Sequence, residues 1–131
     1  MRYLTLAEAL VVAEGVTGID AAVLGKMSGI GLLDSALQAP QAEFEEQEFY
    51  PDVIDKAAVL AVRIARNHSL PDGNKRLSWT CLVLFCKLNG LELECTADDA
   101  VGQMLMVASG NVDEGLMASW LATRVHRFEA E

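Results

Sequence analysis

The stretch Lys75-Arg76-Leu77-Ser78-Trp79-Thr80-Cys81-Leu82-Val83-Leu84-Phe85-Cys86-Lys87-Leu88-Asn89 carries apolar side chains on nearly every side of a helical wheel. A helix that is apolar all round must be surrounded by other elements. Gly90 supplies a C-terminal stop. The pattern therefore predicts a helix from about residue 75 to 89 at the centre of a helical bundle.

Working outward, Val53, Ala57, Leu60 and Ile64 recur at spacings of four, three and four, the stripe of an amphipathic helix. Pro51 suits its first turn, with Asp52 and Asp55 near its positive end, and it should finish near Asn67. Upstream, Thr5 can cap a first helix that runs to about Glu14 and stops at Gly15 and Gly18. Residues 15–30 read as a loop, and residues 31–37 as a short helix halted before Pro40. Residues 41–50, rich in Glu and Phe, read as an extended, partly exposed flap. Downstream, residues 91–95 alternate as a short extended piece. Thr96 with Asp99 then resembles a cap for a helix to about Ser109, and a last helix spans roughly Asp113 to Arg127. The expected fold is all-α: a compact bundle of about six helices with a short extended flap, one domain over residues 1–131.

The composition agrees with a packed domain. Of 131 residues, 52% are hydrophobic and 22% charged, which excludes a disordered chain. The net charge of −9 repels nucleic acid and anionic membranes, so neither is an expected partner. The three cysteines, Cys81, Cys86 and Cys95, form no CxxC and stand at no ligand spacing from His68 or His126. They read as small apolar residues of a reducing compartment. No signal peptide or bilayer-length apolar run appears, so the expected location is the cytoplasm.

The loop joining the two central helices, His68-Ser69-Leu70-Pro71-Asp72-Gly73-Asn74-Lys75-Arg76, concentrates groups that handle phosphate. A helix N-terminus favours anions, and Gly73 allows a close backbone approach. Lys75 and Arg76 stand where that dipole already attracts negative charge, and an arginine can clamp two phosphate oxygens. Asp72 suits Mg²⁺, which takes one or two carboxylates plus substrate phosphates. Asn74 can cap the helix or offer its amide. An imidazole such as His68 can be neutral near cellular pH and so serve as a base. On spacing alone the alternative stays open, because Pro-Asp-Gly-Asn is also a good turn and cap sequence.

The same nine residues resemble the active-site motif of the Fic/Doc family, His-x-Phe-x-Asp/Glu-Gly-Asn-Gly/Lys-Arg. Tyr3-Leu4-Thr5-Leu6, the segment 31–37, Tyr50-Pro51-Asp52 and Asn89-Gly90 resemble its Doc (death-on-curing) branch. The resemblance implies a small helical bundle with His68 as catalytic base, Asp72 as metal residue and Gly73, Asn74, Lys75 and Arg76 as the phosphate and nucleotide cradle. Fic-type relatives move AMP from ATP to a protein hydroxyl. Doc-type toxins move the γ-phosphate, with elongation factor Tu as the best-known target. Lys75 stands where AMP-transferring members have Gly, and Trp79 where Fic members carry a second Arg; both favour the Doc-type activity with ATP and Mg²⁺. Leu70 takes the place of the motif Phe. The alternatives are Fic-type AMP transfer and a catalytically weak module that only binds an antitoxin.

Leu10-Val11-Val12-Ala13-Glu14-Gly15 has the Glu-Gly of the family's inhibitory helix but Leu where a hydroxyl is expected. It reads as a helix end. The resemblance then implies a small antitoxin in trans, its helical tail lying in a groove of the bundle. Met104, Met106 and Met117 are candidate groove residues, though core packing is the commoner use of Met. Phe44, Phe49 and Tyr50 in the Glu-rich flap are the candidate target or partner residues. His126 reads as a favourable charge at the end of the last helix.

Overall fold

The computed structural model of the chain describes residues 1–128. Among them are seven α-helices and two small two-stranded sheets, in agreement with the all-α reading. Among the described residues no helix is long and apolar enough to cross a membrane.

Helix α1 (Leu6–Thr17) starts on a reciprocal cap: Thr5 Oγ1 accepts from the Glu8 amide, and the Glu8 carboxylate accepts from the Thr5 amide. Gly15 does not end it. The left-handed residue that turns the chain out is Gly18, at φ 75°. A glycine inside a helix costs about 1 kcal/mol without stopping it, so only the left-handed position decides the boundary. The expected loop over residues 15–30 also contains a one-turn helix, α2 (Ala21–Leu24), capped by Asp20 and held by burial of Leu24.

Helix α3 (Ile30–Gln38) runs into a 3₁₀ turn (Ala39–Gln41) with Pro40 buried. The flap is a β-hairpin of β1 (Glu43–Phe44) and β2 (Gln47–Glu48), closed by Glu45 and Glu46, both left-handed as a two-residue hairpin turn requires. Its β2 strand is tied to the bundle by Lys56, whose fully buried ammonium donates to Glu48 Oε1 (2.9 Å) and the Pro40 carbonyl (3.2 Å). Helix α4 (Val53–Arg66) is capped by Asp52. Pro51 lies ahead of that cap and not in the first turn.

Helix α5 (Asn74–Leu88) is followed by Asn89, which binds the Arg2 amide and carbonyl, and then by β3 (Leu91–Leu93). Helix α6 (Ala97–Ala108) starts on the expected Thr96 cap. Helix α7 (Glu114–Ala122) ends five residues before the expected Arg127. The chain then forms β4 (Val125–Arg127), which pairs antiparallel with β3. An unpaired β3 edge needs a partner, and Val125-His126-Arg127 supplies it. His126 is therefore a strand residue and not a helix-end charge.

The element at the centre is α4, not α5. Residues 56–62, 64 and 65 of α4 are all buried, and α4 packs against α3, α5, α6 and α7. In α5 the buried face is Leu77, Ser78, Cys81, Leu82, Phe85 and Cys86, while Trp79, Val83 and Leu84 are only partly covered. The physical reason is size. Ala57, Ala58, Ala61 and Ala65 let neighbouring helices approach α4 on every side, and the buried Ser78 hydroxyl reaches the Ala61 carbonyl at 2.6 Å. Cys81 and Cys86 are buried as expected, their thiols pushed up to about 12 and about 11 by burial.

Candidate active site

The site is made where α4 stops and α5 begins. Asn67 caps the end of α4, and its side-chain amide donates to the Leu32 carbonyl (3.1 Å), fixing the exit against α3. His68 follows in the left-handed region, at φ 51°. A bulky residue there stores local strain, which persists only where the surroundings hold it. The turn leaves His68 exposed while Ser69 and Leu70 go into the core. Leu70, in the motif's Phe position, packs the loop onto the core at 6% exposure.

Asn74 closes the loop on itself. Its Oδ1 accepts from the Leu70 amide (3.0 Å) and its Nδ2 donates to the Leu70 carbonyl (2.8 Å). The side chain is thus engaged in the loop, and what Asn74 offers outward is its backbone N–H. Gly73 precedes α5 at φ 88°, and a Cβ there would come within 3.0 Å of Val16 Cγ1 and 3.3 Å of Arg76 Nη2. Leu77 is the first α5 residue to donate back, to the Gly73 carbonyl (2.9 Å). The amides of Asn74, Lys75 and Arg76 have no partner within the helix and face outward from its positive end. Arg76 is steadied by the Val16 carbonyl, to which Nη1 donates at 3.3 Å.

His68, Pro71, Asp72, Gly73, Asn74, Lys75 and Arg76 line one cleft of about 250 Å³, with Ala65 and Ala108 completing its wall. Every expected residue of the loop is therefore brought together. The flap residues are not part of that lining. Phe44 and Phe49 are 66% and 63% exposed, as a docking role requires. Tyr50 is not free: its hydroxyl donates to Glu114 Oε2 (3.2 Å), and Glu114 also takes Arg63 Nε (2.7 Å). Burial, with the Glu114 carboxylate beside it, pushes the Tyr50 phenol up. Tyr50 anchors the flap base and does not present a docking side chain.

A second, apolar groove of about 550 Å³ adjoins the cleft and shares Lys75 and Arg76 with it. Val16, Trp79, Val101, Met104 and Leu105 give its walls their apolar character. Of the candidate groove methionines, Met104 forms part of this lining, Met106 is exposed, and Met117 is fully buried in the core, taking a contact from Gln103 Nε2 on its sulfur (3.3 Å).

Sequence reasoning missed Gly29, Val16, Ala65 and Ala108. Gly29 passes so close to the loop that a Cβ would lie 2.1 Å from the Ser69 carbonyl oxygen. Its place next to the short helix was visible, but the contact, forty residues along the chain, was not. The alanines carry no chemical signal at all.

Comparison with known proteins agrees with this geometry. Over 99 residues the chain is 40% identical to "Toxin Doc" of Mycolicibacterium smegmatis (strain ATCC 700084 / mc(2)155), covering 74% of this chain and 76% of that relative. Residues 5–86, which contain the whole cleft loop, match the Fic/DOC family. Members of that family are transferases. The chain belongs to the Fic/DOC family.

Proposed function

We propose that the protein is a Doc-type toxin: an ATP- and Mg²⁺-dependent kinase that transfers the γ-phosphate to a hydroxyl of a translation factor such as elongation factor Tu. The observation that carries the proposal is the convergence of His68, Asp72, Lys75, Arg76 and the open amides of α5 on one cleft. Similarity to a protein named as a toxin supports the biological role.

In this reading His68, exposed at the cleft, accepts the proton of the target hydroxyl. The hydroxyl oxygen bonds to the γ-phosphorus as the bond to the bridging oxygen breaks, and ADP leaves. The α5 amides and Arg76 hold phosphate oxygens where charge develops, an arrangement that needs no reorganisation during transfer. Asp72 is exposed and accepts no hydrogen bond among the described residues, so its carboxylate is available to a hard cation. A single carboxylate completed by substrate phosphates suits Mg²⁺, which when bound neutralises phosphate charge. Lys75, on the wall between cleft and groove, fills the space that a glycine would leave for a second phosphate. That favours docking of the nucleotide with its γ-phosphate at His68.

The apolar groove supports a helix-in-groove antitoxin, because an amphipathic helix seated there would lie against Lys75 and Arg76 and obstruct the phosphate cradle. Phe44 and Phe49 support a target-docking flap.

Incubation of the protein and a cell lysate with ATP labelled at the α- or the γ-phosphate tests the reaction. Transfer of γ-label to a protein band, abolished by His68→Ala, is expected. Transfer of α-label would identify AMP transfer instead and end the kinase reading. If His68→Ala is as toxic as the native chain when expressed alone, the protein acts by binding and not by catalysis.

A further inference from the structure

The β3–β4 sheet carries a cluster that the transfer chemistry does not use. Glu92 and His126 are cross-strand partners. Glu94 stands two residues beyond Glu92 on the same face, where the Glu94 amide still donates to the Arg124 carbonyl at 2.8 Å. One donor atom from each of Glu92, Glu94 and His126 lies within 4.8 Å of the other two.

The spacing of the three donors is open to two ligand arrangements. His126 Nε2 stands 3.5 Å from Glu92 Oε2 and 3.5 Å from Glu94 Oε1. A charge-assisted hydrogen bond would bring such atoms to about 2.7–2.9 Å. Two ligands held about 2.0–2.2 Å from one Zn²⁺ at tetrahedral angles stand about 3.3–3.6 Å apart. The observed spacing is that of a loose ion pair when His126 is protonated, and it equally matches the edge of a coordination shell around one ion. Among the described residues the only charged partners of the three side chains are one another. All three are partly open to solvent, which leaves room for water as a further ligand.

We propose that Glu92, Glu94 and His126 bind a borderline divalent transition ion of the Zn²⁺ kind, with water completing the shell. The imidazole selects against Mg²⁺ and Ca²⁺, which prefer all-oxygen sites. The ion bridges β3 and β4 and fastens the C-terminal strand to the end of α5. It is distinct from the cation at Asp72, because α5 separates the two ends by about 22 Å at 1.5 Å per residue.

Titration of the chelator-stripped full chain with ZnCl₂ by calorimetry, and with Co²⁺ by visible absorption, tests the site. His126→Ala and Glu92→Gln/Glu94→Gln are each expected to weaken zinc binding by roughly tenfold or more. Zinc should raise the urea midpoint of the native chain but not of His126→Ala. Cys95→Ser, which removes the thiol next to Glu94 in the chain, should leave zinc affinity unchanged. The proposal is overturned if the native chain binds no zinc, if His126→Ala binds it equally well, or if Cys95→Ser alone abolishes binding. The variants lie on the surface, and circular dichroism verifies that each is folded.

Discussion

Gly29 is the residue on which the shape of the loop most depends. Any side chain at this position must displace the Ser69 carbonyl, since even a Cβ would stand 2.1 Å from its oxygen. The obstacle is backbone, which cannot swing aside as a flexible side chain can. Gly29→Ala is therefore expected to destabilise the protein by about 1–3 kcal/mol, the usual cost of overpacking, and to lower transfer activity through displacement of His68. Urea denaturation and γ-label transfer, measured on the same preparation, check both effects; a variant with native stability and activity would show that the loop yields easily. Asn74 is the converse case. The sequence offered it as a cap or an amide donor, whereas its geometry makes it the clasp that fixes Leu70.

Among the elements, α1 shows how a local signal becomes a pH-dependent contribution. The Arg2 guanidinium, then the Thr5 amide, hold the Glu8 carboxyl at about 2, well below its ordinary value of about 4.5. A carboxyl depressed by folding contributes stability that is present above its ordinary value and lost as pH falls through its folded value. Acid unfolding should therefore include a component between about pH 4.5 and 2 from α1. Glu8→Gln should reduce the slope of stability against pH in that window, while lowering stability at neutral pH. Thermal melts from pH 2 to 7 provide the measurement. The cap was legible because a capping box is written in four consecutive residues. The strand β4 was not, because Val125-His126-Arg127 is extended only through its pairing with β3, more than thirty residues earlier.

At the scale of the whole molecule, the exchange of centre between α4 and α5 has a measurable consequence. Ala61 is fully buried, and its carbonyl accepts from Ser78 on the facing helix. Val83, a larger residue on the supposedly central helix, is only partly covered. Ala61→Leu is expected to cost about 1–3 kcal/mol by overpacking, more than Val83→Ala at its half-covered position. Denaturant midpoints of the two variants decide the ranking, and the opposite order would restore α5 to the centre. The partly covered face of α5 is also what leaves room for the apolar groove beside the cleft. The sequence by itself determined the helical class, the α4–loop–α5 unit and the chemical groups that the loop brings to the cleft. Apolar periodicity, caps and the motif all lie within single segments and need no partner to be read. Only the tertiary structure decided which helix is enclosed, that Glu92, Glu94 and His126 converge, and that Gly29 and Val16 shape the site. Those outcomes depend on how closely distant segments can approach, and that distance is set by small side chains and strand pairing that carry no local periodic signal.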